Sequence, residues 1–550
     1  MNGKFNRNDL YLALAISVIW VAVSIATRPL IPIDETRYVT VAWEMYQSGD
    51  FLVPHLNGEI YSHKPPLLFW LINAVWAVTG VQEGPARCIG PAFGLASLGM
   101  VYYLGRLLWP DQRKYAAGAV LVLASSAVWA VFASVTMFDT GLTFFVLCGC
   151  VGILEMARQR NLRGFLYLVL AVAGGLLQKG PVIFLHLMPI ALLAPKWLNT
   201  SNQQVSWRRW YATIFAASGV GIAIALLWVV PAIIGGGHEY AEAILWRQSA
   251  GRVVNSFAHR RPFWWYAPLL PLLIFPWSFS WQPWRMLPSL WHEQPIRFCV
   301  YWFGATFFLF SLLSGKQIHY LLPALPAAAL IVSRLLDTMT SRQIHRMSWQ
   351  TVTFLILAAT ALSFLPIVAS YHGKLVTLTD ISPLWGIPLL FVGIGVGVLH
   401  ITTLPAAVRC GAVSTIVAFI MVNSAAFSAL RGGFDLQPFA NDLAEYQTAD
   451  HPMAFVGNYH GQFHFLGRLD DPITQLDSEA EIAEWSQAHP NGFVIRCEEP
   501  MKRSTRGLIV SRELLRDLKS RRLELWDAAA LAELTQAELR TARQPDVTLK

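Results

Sequence analysis

Charge is scarce in this chain. Asp, Glu, Lys and Arg make up only 14% of the 550 residues, against 55% hydrophobic, a balance that places it among polytopic membrane proteins. Cysteine is scarcer: there are six, at 88, 148, 150, 299, 410 and 497. None has metal-ligand spacing, and Cys148 and Cys150 fall inside an apolar run. They read as small buried thiols, and no disulfide framework is implied. No internal repeat or low-complexity tract interrupts the chain. Within the apolar runs ionisable groups are nearly absent. His186 stands alone in one of them and reads as a structural hydrogen-bonding group. Neither midplane charges nor paired halves are visible, which argues against a transporter. The excess of 42 Lys and Arg over 34 Asp and Glu points to anionic membrane lipids as partners and not to nucleic acid.

What is there is a series of apolar runs. They fall near 10–32, 87–109, 115–136, 140–157, 164–178, 180–195, 210–234, 263–281, 298–314, 318–336, 349–370, 383–402 and 406–428, about thirteen spans by length. The first lacks a small-residue cleavage site and reads as a retained anchor. Residues 65–80 are apolar too, but short, led by two prolines and rich in Trp and Phe, so they read as an interfacial helix. With the N-terminus inside, "DQRK" (111–114), "ARQRNLR" (157–163), "SWRR" (206–209) and "SRQIHR" (341–346) all fall in cytoplasmic loops, as the positive-inside rule requires. The expected architecture is a mostly α-helical polytopic domain over 1–430, with interfacial helices at 33–84. Beyond it, alternating helix and strand patterns over 431–550 read as a soluble α/β domain on the outer side.

Against the insertion bias, the external loops carry cations: Arg37 and Lys64, then Lys179, then His259 and Arg260, then Lys316. Recurrence on several loops favours convergence on a phosphate or pyrophosphate over scattered snorkelling to headgroups. "IDETRYV" sets Asp34 where an N-cap would stand, ahead of Val39, Ala42, Trp43 and Tyr46 at one-face spacing and Gly49 at the expected stop. A carboxylate there, beside Arg37, can bind a metal, take a proton or steady positive charge. "YSHKPP" presents Lys64 before a double proline, a backbone held extended ahead of a helix start. "SVTMFDTG" puts Asp139 at the outer end of two apolar runs, where a carboxylate is functional by default or caps the next span. "GLLQKGP" offers Lys179 in a tight turn, and "SGKQIHY" offers Lys316, His319 and Tyr320.

In order and spacing, "DETRY", "Y-x-x-KPP", the loop Asp, the "KG" turn and "H-x-x-PFWxY" resemble the bacterial GT-C lipid-linked glycosyltransferases of the aminoarabinose (lipid A) transferase type, and the related protein O-mannosyltransferases. That resemblance implies a GT-C membrane domain with a C-terminal periplasmic domain, in the bacterial inner membrane. It implies an enzyme that takes a sugar from a polyprenyl-phosphate carrier and passes it by inversion to a periplasmic acceptor. In that family the sugar is 4-amino-4-deoxy-L-arabinose and the acceptor lipid A. The alternatives are another sugar, passed to lipopolysaccharide core, O-antigen or protein, and, further off, a lipid flippase. Carried over by motif, Asp34 is the principal catalytic carboxylate and Asp139 the second. Arg37, Lys64, Lys179, His259, Arg260 and Lys316 hold the carrier phosphate. Glu35, Tyr38, Tyr61, His63, His319 and Tyr320 line the substrate cavity. His63 stands where the aminoarabinose transferases usually have glutamate, which leaves the sugar, the acceptor and a divalent metal on Asp34 or His63 open.

Overall fold

The computed structural model describes residues 5–199, 205–244, 260–280, 282–371, 378–498, 516–518 and 521–533. The chain forms two compact units, one of Met1–Thr27 and Ser62–Ala426, the other of Arg28–Tyr61 and Phe427–Lys550. Of the first loop, expected with the membrane helices, residues 28–61 group with the C-terminal residues, and residues 62–84 stay with the membrane helices.

In the first unit every expected apolar run is helical. Nine helices among the described residues are long and apolar enough to cross a membrane: Arg7–Thr27, Glu83–Leu108, Phe138–Ala157, Asn161–Lys179, Trp207–Glu242, Gln294–Leu312, Ile318–Leu336, Ser341–Ser370 and Leu404–Ala429. The protein is multi-pass. A further run is a pair, Arg113–Ala124 and Ala127–Ala133, bent by 69°. At that bend Ser125 and Ser126 turn their hydroxyls back onto the carbonyls of Leu121 and Val122, a known way to bend a helix. The groups freed there are taken up by neighbours. Ala127 N–H donates to Phe275 O at 2.9 Å, and Trp277 Nε1 donates to Val122 O at 3.0 Å. The remaining three runs give shorter helices, Val182–Leu192, Phe263–Leu273 and Pro383–Val398. At 1.5 Å per residue an 11-residue helix such as Val182–Leu192 reaches roughly 17 Å, short of a bilayer core of ~30 Å. Apolar length in sequence had included turns that flank these helices. Leu67–Thr79 is a separate 13-residue helix, outside the spans as expected.

Phe138–Ala157 is the most enclosed span, with 94% of its apolar window buried. Close approach needs small residues on such a helix. A Cβ on Gly141 would stand 2.4 Å from the Gln178 amide, so this glycine lets Asn161–Lys179 pack alongside.

The second unit carries a hairpin, β1 (His55–Leu56) with β2 (Glu59–Ile60), and a mixed five-stranded sheet. Its strands are β3 (Met453–Val456), β4 (Thr474–Leu476), β5 (Phe493–Glu498), β6 (Arg516–Leu518) and β7 (Arg521–Asp527), in the order β4-β3-β5-β7-β6. β3 pairs parallel with β4 and β5, while β7 runs antiparallel to β5 and β6. Alternation along the strands feeds two cores. Phe455, Ile495 and Leu525 join Phe439, Leu443 and Phe463 in one; Ala454, Val494 and Trp526 join Ile482, Trp485 and Leu531 in the other. Successive strand residues face opposite sides, so both faces of the sheet are covered.

The helix Asp34–Ser48 packs on this domain. It buries Tyr38, Val39, Val41, Ala42 and Met45, while Tyr46, expected on the same face, is 46% exposed. Thr40 Oγ1 donates to Gly461 O at 2.7 Å and accepts from Phe465 N–H at 3.3 Å. Glu44 accepts from Asn57 N–H at 2.6 Å and Gly58 N–H at 3.1 Å. The Asn57 amide in turn closes a two-way pair with the Ile473 backbone, at 2.9 and 2.8 Å. Gly461 has φ +69°, and a Cβ there would lie 2.4 Å from Leu56 Cδ1 and 3.1 Å from Thr40 Cγ2. Gly461→Ala is therefore expected to cost about 1–3 kcal/mol, read as a lower thermal midpoint of the detergent-solubilised protein. An unchanged midpoint would contradict this tight docking.

Candidate active site

In the first unit, several basic side chains gather at one carboxylate. Asp139 lies in the first turn of Phe138–Ala157 and is 3% exposed. Its Oδ1 accepts from Lys179 Nζ at 2.5 Å, and its Oδ2 stands 4.0 Å from His319 Nε2. Lys179 ends the helix Asn161–Lys179, just before Gly180 at φ +75°, so a sharp chain reversal sets its direction. Its ammonium also lies over the Tyr320 ring at 4.9 Å. The His319 ring meets Tyr320 edge-on at 4.9 Å and Phe132 at a tilt at 5.3 Å. The Lys64 ammonium lies 5.5 Å from the ring of Phe138. Below them Gln178, fully buried, donates to Phe138 O at 3.2 Å. Sequence reasoning missed Gln178 because a mid-helix glutamine carries no motif. Lys64, Asp139, Lys179, His319 and Tyr320 do gather as expected. Asp139 is engaged by cations and enclosed, which suits a counter-ion that aims Lys179 better than a proton acceptor.

In the second unit, Asp34 opens the helix Asp34–Ser48. The expected cap is not there. Asp34 is the first helical residue, and the capping position, Ile33, offers no side-chain bond. Glu35 does the local work instead, accepting from Ile31 N–H at 2.9 Å. Its carboxylate is also paired with the Arg28 guanidinium through Nη1 and, at 3.2 Å, Nη2. Side-chain exposures of 3% for Arg28 and 0% for Glu35 remove Glu35 from any substrate cavity: it is a buried structural ion. Asp34 is the opposite case, 69% exposed, with Oδ1 held by Arg37 Nη2 at 2.6 Å. Arg37 is mostly buried and lies 5.4 Å from the centre of the Tyr38 ring. Its buried Nε has no hydrogen-bond acceptor among the described residues. Tyr38 and Tyr61 are both buried. Burial, and then the negative charge of Asp34, push the Tyr38 phenol well above its usual pKa, so it stays protonated. The C-terminal domain adds a residue that no local signal announced. His460 is half-buried, and burial and then Arg37 hold its imidazole below the usual pKa, with Asp34 opposing.

Other expected residues part ways. Lys316 is buried and gives its ammonium to the carbonyls of Arg261, at 3.1 Å, and Leu313. That loop clamp occupies the charge expected to meet a phosphate. Arg260 is exposed and bridges to Gly315. His63 is exposed, and His259 lies outside the described residues. Among the described residues no three His, Cys, Asp or Glu side chains converge as a metal ion would require.

Comparison with known proteins follows the same lines. Residues 63–234 match the model of the dolichyl-phosphate-mannose-protein mannosyltransferase family. The structure of ArnT from Cupriavidus metallidurans bound to undecaprenyl phosphate superposes with TM-score 0.74 at 19% identity, covering 96% of this chain and 99% of that one. The chain has the GT-C fold. The undecaprenyl phosphate-α-4-amino-4-deoxy-L-arabinose arabinosyl transferase of Pseudomonas paraeruginosa is 30% identical over 318 residues, 55% of each chain. A transferase of the same name from Pseudomonas fluorescens is 28% identical over 390 residues, 68% of this chain and 63% of its own. The chain thus spans about half the length of the curated relatives it matches first. The resemblance expected of this chain, to aminoarabinose transferases and protein mannosyltransferases, is borne out.

The Arg28–Glu35 pair yields a test of its structural role. Glu35→Gln leaves a buried guanidinium unanswered and is expected to cost roughly 3–5 kcal/mol. The double variant Arg28→Met/Glu35→Leu should recover much of it, by thermal melting in detergent. A Glu35→Gln protein with wild-type melting and lost activity would return Glu35 to the substrate.

Proposed function

We propose that this chain is a membrane glycosyltransferase that moves a sugar from a polyprenyl-phosphate carrier to an acceptor at the periplasmic face of the bacterial inner membrane. The observation that supports this reading is the gathering of basic side chains at Asp139. Lys179 pairs with it, His319 stands 4.0 Å away, and Lys64 lies over the ring of the neighbouring Phe138. A phosphate drawn to that cluster would accept charge-assisted bonds from ammonium groups, which are the strong kind. The relatives' names support the carrier, and the basic short loops support an N-terminus in the cytoplasm with the C-terminal domain outside.

A glycosyl phosphate already has a good leaving group, so cations that neutralise the departing phosphate suffice in place of a strong acid. Lys179 and Lys64 take that role, with Asp139 positioning Lys179 and His319. Asp34, exposed yet tethered by Arg37, is the carboxylate that the motif resemblance assigns to an inverting displacement through an oxocarbenium-like state. With a hydroxyl acceptor it acts as general base. With an acceptor phosphate, already ionised, it orients the nucleophile or steadies the cationic sugar. The sugar we assign is 4-amino-4-deoxy-L-arabinose and the acceptor lipid A, following the relatives. The second reading, another sugar on another periplasmic glycan, is favoured by His63 in place of glutamate.

Mass spectrometry of lipid A from cells with and without the chain tests the assignment. One added aminopentose is expected, and its absence rejects this sugar and acceptor. Asp34→Asn should lower transfer at least about 10²-fold in a protein that still folds and inserts. Undiminished transfer would remove Asp34 from the chemistry.

A further inference from the structure

The C-terminal domain brings its own residue to Asp34 and Arg37. Thr40 stands one helical turn beyond Arg37, on the same face. Its hydroxyl donates to Gly461 O at 2.7 Å and accepts from Phe465 N–H at 3.3 Å, which pins residues 461–465 to the helix. Gly461, at φ +69°, is the residue that permits this approach. His460, immediately before it, is thereby held toward the Arg37 end of the helix. Its backbone N–H donates to Gln462 Oε1 at 3.0 Å, closing the loop on itself. Tyr459 and His464, on the same loop, bond each other at 2.8 Å, which further fixes the loop. Of the charged groups at that end of the helix, Arg37 and Asp34 act electrostatically on the imidazole. They are paired with each other at 2.6 Å, and the Arg37 guanidinium lies 5.4 Å from the centre of the Tyr38 ring; the charges of Tyr61 and Tyr38 act on Arg37 in turn.

We propose that His460 is a substrate-binding residue, its imidazole hydrogen-bonding a phosphate that Arg37 pairs with. The proposal rests on the glycosyltransferase reading and deepens it, by making the C-terminal domain part of phosphate recognition. Without ligand, burial and Arg37 keep the ring neutral at neutral pH. A phosphate dianion beside it reverses the balance, and the ring takes up a proton. The protonated form binds better, so the bound pKa lies above the free one and affinity grows as pH falls through the bound value.

The test uses the full chain in detergent, with undecaprenyl phosphate and the uncharged undecaprenol as probes, at about pH 6 and about pH 8. His460→Ala should weaken undecaprenyl phosphate binding roughly 10-fold at the lower pH and far less at the higher, with undecaprenol unaffected. His460→Gln keeps a hydrogen bond but cannot be protonated, and should bind with the weaker pH dependence of the ligand alone. If carrier binding is unchanged while KM for a phosphorylated lipid acceptor rises and that for its dephosphorylated form does not, the phosphate is the acceptor's. If neither changes, the inference is overturned and the transferase reading stands. A wild-type chain that fails to distinguish undecaprenyl phosphate from undecaprenol overturns both.

Discussion

Burying a charge without a partner costs several kcal/mol, and in a chain this apolar that penalty organises the polar residues. The charged groups near the helices are mostly matched one to one. Asp9 takes Arg409 at 2.5 Å, and Glu293 takes Arg334 at 2.6 Å. Each pair ties segments that are distant in sequence, so the charges act as fasteners between helices. Asp139 is placed differently: it pairs with Lys179, and His319 and Lys64 are gathered beside it. Clusters of ionisable groups of this kind are where functional sites concentrate.

The same accounting holds for backbone groups in the second unit. A hairpin as small as β1–β2 is not stable alone. Here Glu44 satisfies its turn N–H groups and Asn57 joins it to Ile473. Thr40 does likewise for residues 461–465. The helix Asp34–Ser48 is therefore fixed by polar contacts along its length as well as by its apolar face. A rigid helix gives Asp34 and Arg37 a defined direction, which positioning of a reactive centre requires.

The membrane runs were legible because hydrophobicity over some twenty residues is a local property, and each of them proved helical. Their lengths were less so: Val182–Leu192 and its two short counterparts depend on where turns begin, which neighbouring helices decide. Asp139, Lys179 and His319 were legible as polar residues standing at the ends of apolar runs. Glu35 and Lys316 were misjudged because the same side chain can face a substrate or a partner, and only the partner tells which. Arg28 and two backbone carbonyls were those partners. His460 was invisible, since Thr40 and Gly461 meet across 421 positions.

The sequence by itself determined the helical membrane character, the small α/β domain and the polar motifs at the helix ends, all of which arise from composition and short-range spacing. Only the tertiary structure decided which of those polar groups pair with one another and which are gathered into clusters. It also decided that residues 28–61 of the first loop pack with the C-terminal domain. The reason is physical: pairing energy depends on distance and burial, and both are set by contacts between segments that the chain order keeps apart.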